Sequence, residues 1–358
     1  MRLATLSGSN FWGVTARSRG GTGSTLFTFT THTFTTASTV GRFGPTLSTL
    51  RSAYSGVSWA SNSLYFAQGR AQGYQLFTVP VTGIYEIEAA GARGQTSAGT
   101  IPYGAIMKGR ITLAQGEKLE MVVGQLPHTG STTSGTSYAG AGGGTFVVYG
   151  GTNTPIIIAG GGAGTYSSET TASVFNGQTR RRPVFSSVGY SYSPWSDTSN
   201  TTGYGGYGYH GGGGGGLLGE GQDWSGYSGS TAATDTRGGQ QFTHGASFVG
   251  GSVSNGGGNW YAIGGTYGTS NPAEGGFGGG GAGHSGNNSG GGGGGYTGGS
   301  GGQTSLGGSY LSGVGGGSYF DSSISSRSSS DGAYDGSGLG TSSLGYNTGA
   351  GYVKITKI

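Results

Sequence analysis

The residues with the widest chemical repertoire are few and scattered. The histidines are His32, His128, His210, His244 and His284, none at H-x-x-x-H spacing, and the chain has no cysteine to complete a zinc site. No metal centre and no thiolate chemistry are expected. Glu86 and Glu88 are the nearest approach to a catalytic carboxylate pair. They stand two apart on an alternating stretch whose other face is Tyr85, Ile87 and Ala89, the signature of a strand's solvent side rather than of an acid/base dyad. Asp331 and Asp335, in DGAYDGSG, read as two turns before they read as a loose calcium loop. GYGGYGYHG meets nucleotide-loop patterns through glycine abundance alone, and G-x-x-x-x-G-K-[ST] does not occur. The expectation is a protein that is not an enzyme and carries no cofactor.

Charge points the same way. Only 8% of residues are charged and the net charge is +4 over 358 residues, whereas nucleic-acid binders concentrate Lys and Arg on one face. Nucleic acid is therefore not an expected partner. The one dense basic cluster, Arg180, Arg181 and Arg182, reads as a solvated loop, with a contact to phosphate or an acidic sugar as the alternative.

Recognition is the better-supported chemistry. Three stretches between glycine blocks combine aromatic rings with Ser, Gly and Asn. These are 165–202 with Arg180 to Arg182, Tyr190, Tyr192 and Trp195; 222–237 with Trp224 and Tyr227; and 259–274 with Trp260, Tyr261 and Tyr267. Rigid rings give large contact area at low entropy cost, and small polar residues adapt around them. Some of the rings could instead cap the ends of whatever the glycines build.

The elements that must hold such loops fall into two textures. From residue 25 to about 160 the pattern is β. LFTFTTHTFTT alternates, and YQLFTVPVTGIYEIEAAGA reads as strand, turn and strand. In AIMKGRITLAQGEKLEMVVGQ two strands flank a Gln115-Gly116 turn, with Leu119, Met121 and Val123 on one face; TFVVYGGTNTPIIIAGGG is a hairpin-like pair. Five or more such strands without a convincing amphipathic helix predict a β-sandwich. GPTLSTLRSAYSG has room for one short helical turn. Residues 1–24 read as an attachment arm, with no apolar signal core, and no apolar run is long enough to span a membrane.

From 161 to 350 glycine dominates, in blocks at 211–216, 256–258, 278–281, 290–295 and 315–317; the chain has 88 glycines and also 22 Tyr, 14 Phe and 5 Trp. Disordered chains are poor in aromatics and rich in charge. A glycine run in the polyproline II conformation is a threefold helix whose N–H and C=O groups all point outward, free to bond to parallel rods. The favoured expectation is a bundle of packed polyglycine II helices with projecting loops; disorder and a fibrous repeat are the alternatives.

Several blocks resemble one known family in order and spacing. THTFTTASTVGRFGPTLSTLRSAYSG (31–56) is similar to its FTxxGAxGxxGPTxxQ pattern without the cysteines. GYQLFTVPVTGIYEIEAAGARG (73–94), LAQGEKLEMVVGQ (113–125), GAGGGTFVVYGGTNTPIIIAGGGAG (140–164), HGGGGGGLLGEG, EGGFGGGGAG, GGGGGGYTGG and the closing GYVKITKI follow. Together they resemble, over about residues 27–358, the glycine-rich extracellular domain of the anaplastic lymphoma kinase and leukocyte tyrosine kinase receptors. That resemblance implies a tumour-necrosis-factor-like β-sandwich, closed by strand 351–358, fused to a polyglycine-helix bundle. The chain has no kinase motif, so receptor kinase activity does not carry over.

The architecture is also similar to that of distal tail-fibre adhesins of bacteriophages, whose loops between polyglycine helices touch the host. That similarity implies a virion protein at the fibre tip, extracellular, without a signal peptide. A host cell-surface receptor, protein or glycan, would be bound through the aromatic loops, and a tail-fibre or other virion protein through the N-terminal arm. The alternative is a structural protein, a capsid decoration or filament or matrix subunit that self-associates through the same loops. A secreted or cell-surface ligand-binder is a third reading.

Overall fold

A computed structural model describes residues 24–96, 100–128, 139–165, 172–183, 202–208, 211–222, 239, 241–242, 274–283, 289–302, 312–332 and 343–358. The described residues form eleven strands. They are β1 (Thr31–Thr35), β2 (Phe66–Gln68), β3 (Tyr74–Thr78), β4 (Gly83–Ala90), β5 (Ile106–Leu113), β6 (Lys118–Val122), β7 (Thr145–Tyr149), β8 (Pro155–Ala159), β9 (Tyr319–Phe320), β10 (Ser325–Ser329) and β11 (Tyr352–Lys357). Some alternate apolar and polar side chains, as in β4 and β5, and some are buried along almost their whole length, as in β7 and β8. One sheet runs β1-β11-β4-β5-β10 and the other β2-β3-β6-β7-β8-β9. Every pairing is antiparallel. The protein is thus all-β. The C-terminal strand lies between β1 and β4, joining the two ends of the chain in one sheet.

The sheets enclose a core in which Tyr85, Ile87 and Ala89 of β4 meet Leu119 and Met121 of β6, with Val123 just beyond it. A ring-rich end of that core comprises Phe34, Tyr54, Trp59, Phe66 and Phe77. Tyr54 belongs to the segment expected to hold one helical turn, which is a seven-residue helix, α1 (Leu47–Ala53). Thr46 caps it, accepting the Thr49 N–H at 3.2 Å. The Tyr54 hydroxyl then accepts the Thr35 N–H at 2.7 Å and donates to Gln75 Oε1 at 2.9 Å, fixing the helix against β1 and β3.

The six-stranded sheet is buried on its outer face as well. Tyr74, Val122, Phe146, Val148 and Ile158 pack there against Leu217, Phe242 and Phe277, which come from the glycine-rich segments. Tyr296 stacks on Tyr319 at 4.6 Å on the same surface. Large side chains between glycine blocks therefore anchor those blocks to the sheet.

Where the strands run out, glycine segments continue from them and bond laterally. Successive N–H groups of residues 291 to 296 donate to Ala139, Gly212, Val314, Gly142, Gly215 and Gly317. The first and fourth acceptors lie in the segment leading into β7, the second and fifth in 211–216, and the third and sixth in the segment leading into β9. The direction of bonding thus rotates through three neighbours and repeats every third residue. The run 211–216 does the same, donating to Gly302, Ala282, Gln222, Gly299, Gly279 and Gly219. So does the extension of β8, where Gly161 and Gly164 both donate to the 290s segment while Gly162 and Thr165 donate to the extension of β4.

Backbones this close leave no room for side chains. A Cβ on Gly293 would fall 2.6 Å from the Gly316 nitrogen and nearer still to the Gly161 oxygen. Glycine here is the residue that lets carbonyls and amides of neighbouring rods reach each other, and those bonds satisfy a buried backbone that lies outside the α-helices and β-strands.

Candidate functional site

The lattice has two ends. Gly160 follows β8 directly, so the cross-links Gly161 to Gly294 and Tyr296 to Gly317 lie near the sheets. Those of Gly164 to Gly291, Gly291 to Ala139, Gly302 to Gly290 and Gly211 to Gly302 lie at the far end. Around this far layer are grouped the described residues that bracket four connections, with those of a fifth a step nearer the sheets. Thr96 bridges to Thr165, whose hydroxyl donates to the Thr100 carbonyl at 3.0 Å, bracketing 97–99. Tyr207 accepts from Gly301 beside Gly211, bracketing 209–210. Gln222 and Gly239 meet at Gly213, nearer the sheets, where Gly239 packs on Gly279, bracketing 223–238. Gly283 approaches Ala139, and Gly290 and Gly313 both reach Gly164, bracketing 284–288 and 303–311.

The connection 184–201 departs elsewhere. Ser318 donates to the Arg180 carbonyl beside β9, and Gly203 accepts from Leu218 near the sheets. The guanidinium of Arg181 lies 5.0 Å over the Tyr319 ring, continuing the Tyr296–Tyr319 stack, and Arg180 is exposed next to it. Of the residues picked out as binding candidates, Arg180, Arg181 and Arg182 are therefore found on the flank of the lattice near the six-stranded sheet. Tyr190, Tyr192, Trp195, Trp224, Tyr227, Trp260, Tyr261 and Tyr267 lie outside the described residues. The ends that bracket Trp224 and Tyr227 meet at Gly213, between the far layer and the sheets, and those that bracket Tyr190 and Trp195 lie near the sheets.

The carboxylates considered for catalysis are engaged elsewhere. Glu86 accepts from Arg110 Nε at 3.0 Å and pairs with Lys108 at 3.0 Å. Partial burial would raise its pKa, but those two cations outweigh the burial and hold it below the ordinary value. Glu88 accepts the Tyr352 hydroxyl at 2.7 Å, and burial followed by that bond pushes the phenol up. Asp331 accepts the Thr179 hydroxyl at 2.8 Å on one oxygen, and Asp335 lies outside the described residues. Among the described residues no cluster of three or more His, Asp or Glu side chains forms a metal site.

One grouping was not read from the sequence. The loop after β1 turns through Ala37 and Ser38, both at positive φ, closes with Thr39 N–H to Thr36 O at 3.0 Å, and reaches Gly41 at φ +85. The Gly41 backbone is pinned to the lattice, its N–H on Leu126 and its carbonyl accepting from Phe277. His128 Cδ2 and Glu274 Oε2 both lie within 4 Å of the point a Gly41 side chain would occupy. Beyond it Arg42 sits 4.8 Å over the Phe43 ring, and Val40 and Phe43 are 46% and 42% exposed. The sequence signal was GRFG, an arginine and a ring isolated between glycines, but its partners are 87 and 233 positions away from Gly41.

No protein-family model and no curated protein sequence matches this chain.

Proposed function

We propose that the chain is a receptor-binding adhesin at the distal tip of a bacteriophage tail fibre, in which polyglycine II helices form a rigid lattice that carries recognition loops. The observation that carries this reading is the common far layer. Residues bracketing four connections meet in one cross-linked layer on the side away from the sheets, and those bracketing the one with Trp224 and Tyr227 meet a step nearer the sheets, at Gly213. A surface assembled from several connections on a backbone already ordered loses little further entropy on binding, which raises affinity without added contacts. The threefold rotation of hydrogen-bond direction supports the helix reading, since a polyproline II backbone has three residues per turn. The host receptor would be bound at the far end, and a fibre or other virion protein would hold the N-terminal arm.

The test is saturable binding of the labelled chain to intact candidate host cells, alongside a variant carrying Trp195→Ala, Trp224→Ala and Trp260→Ala. The adhesin reading expects binding by the parent chain and its loss in the folded variant. Absence of cell binding, with concentration-dependent assembly into particles or filaments, would replace it by a structural role.

A further inference from the structure

We propose that the open edge of β1 pairs with the β1 of a second copy of this chain, joining two five-stranded sheets across a two-fold axis. The pairing goes beyond the adhesin reading and does not rest on it.

The bonding pattern shows which backbone groups face outward. The Lys357 N–H donates to the Thr30 carbonyl at 2.8 Å, in the register that sets Thr31 opposite Thr356. Antiparallel strands exchange bonds at every second residue. His32 and Phe34 therefore turn their N–H and C=O groups to β11, while Thr31, Thr33 and Thr35 turn theirs away from it. At Thr35 both groups are taken, the N–H by the Tyr54 hydroxyl at 2.7 Å and the carbonyl by Gln75 Nε2 at 2.9 Å. At Thr31 and Thr33 no described residue takes them, and both residues are exposed.

The remaining edges of the two sheets are blunted. In β2 the Phe66 N–H donates to the Asn62 carbonyl, and the Phe66 carbonyl accepts from Arg51. β9 is two residues long. β10 shifts register between Ser325 and Ser328, and its Ser329 is bridged by Ser343. Short strands, bulges and covering segments are the usual means of keeping an edge from recruiting another strand. β1 has none of these: its register with β11 is unbroken, and THTFT holds neither proline nor a lysine or carboxylate.

The strand's own residues select a second copy as the occupant. Tyr54 closes the edge at Thr35, so a two-fold pairing centres on His32. Thr31 of each copy then lies opposite Thr33 of the other, and each such pair exchanges both of its backbone bonds. The opposed side chains are threonines, a favourable cross-strand combination, and no like charges meet. His32 stays turned to its own core, against Tyr54 and Trp59. A pair of this kind uses the same patch on both copies and closes on itself, so it stops at two and does not grow into a filament.

The chain has no cysteine, so single introduced ones report the register. Full-length Thr31→Cys and Thr33→Cys proteins are oxidised separately and mixed, beside Gly56→Cys, an exposed position with nothing within 4 Å, as control. Sedimentation of the parent and of Thr33→Pro is followed from micromolar to near-millimolar concentration. Thr33→Pro removes an outward N–H and no sheet bond, a change that a solvent-facing edge accepts; its melting temperature is checked against the parent. The proposal expects the mixture to cross-link at least about tenfold faster than the control, through the raised effective concentration of the paired sulfurs. It also expects the parent alone to pass from one copy to two. Cross-linking no faster than the control, a preference for either protein linking to itself, assemblies larger than two, or pairing that survives Thr33→Pro would each overturn it. Cell binding by a chain that stays single at every concentration would remove the pairing and leave the adhesin standing. A pair that holds no cell would leave the pairing and remove the adhesin.

Discussion

Arg70 closes on Glu120 with two hydrogen bonds to the same carboxylate oxygen, Nε at 2.9 Å and Nη2 at 2.6 Å, while its own backbone N–H donates to the other oxygen at 2.7 Å. Glu120 is 3% exposed, and the guanidinium also donates to Asn153 Oδ1 at 2.8 Å and to the Thr152 carbonyl at 2.7 Å. It further lies 4.9 Å over the ring of Phe242, from the glycine-rich half. One side chain thus ties β6, the β2–β3 turn, the β7–β8 turn and the lattice anchor together.

Removing one partner leaves a buried charge without compensation. Arg70→Ala is expected to lower unfolding free energy by about 3–5 kcal/mol. The double variant Arg70→Met with Glu120→Leu should cost distinctly less, since it leaves no orphan charge. Denaturant midpoints of the three proteins at equal m value check this; equal losses in the single and double variants would mean that packing, not the charge pair, governs the site.

How far this architecture was legible follows from the range of each interaction. The face of β4 could be read because alternation is local: Tyr85, Ile87 and Ala89 are buried and Glu86 and Glu88 look outward, as expected. The Gln115-Gly116 turn could be read from its residue types. That this turn passes from one sheet to the other could not, because β5 and β6 choose partners by tertiary packing. Arg70 and Glu120 are separated by 50 positions, and nothing in either neighbourhood marks the other. The lattice was legible only as an inventory. Which rod faces which depends on carbonyl positions, and a run of glycines specifies no register by itself. What sets it are the exceptions, Leu217, Phe242, Phe277 and Tyr296, whose rings and branches must reach the outer face of the six-stranded sheet.

The lattice makes a sharp prediction about glycine. Gly293→Ala is expected to destabilise by more than about 4 kcal/mol, because the new methyl overlaps backbone on two neighbouring rods and none of it can rotate away. Gly56→Ala, where nothing lies within 4 Å, should be neutral or stabilising by about 0.4–1 kcal/mol through the unfolded chain. Thermal melts of both variants decide the matter. A well-folded Gly293→Ala protein would mean that the rods are not in backbone contact.

Acid should weaken the sandwich before its carboxylates titrate. His32 sits edge-on to Phe34, Tyr54 and Trp59 at 4.7, 4.8 and 5.0 Å, and burial lowers its pKa from 6.5 to about 4. Between those values the unfolded chain takes up the proton and the folded one does not, so stability falls as pH drops from about 6.5 to about 4. Glu86 and Asp321 are held below their ordinary values, and their contributions are lost only at lower pH. Urea midpoints across pH 4 to 7 should slope in the parent and flatten in His32→Phe; an unchanged slope in that variant would assign the effect to another group.

The two halves should also unfold as one. The Phe242 ring stacks on Phe146 at 5.0 Å, its carbonyl accepts the Tyr74 hydroxyl at 2.9 Å, and its N–H donates to Gly216. Anchor and lattice rod are therefore the same few residues. Phe242→Ala is expected to cost about 3–5 kcal/mol, as for other large-to-small changes in a core, whereas Tyr74→Phe should cost about 1 kcal/mol for the lost hydrogen bond. The informative readout is the shape of the transition. The parent should melt once by far-ultraviolet dichroism and by tryptophan fluorescence, with Trp59 reporting from the sandwich core. If Phe242→Ala separates the two signals, the outer face of the six-stranded sheet is the coupling surface; if the parent already melts in two steps, the lattice stands on its own hydrogen bonds and the anchor residues serve only to orient it.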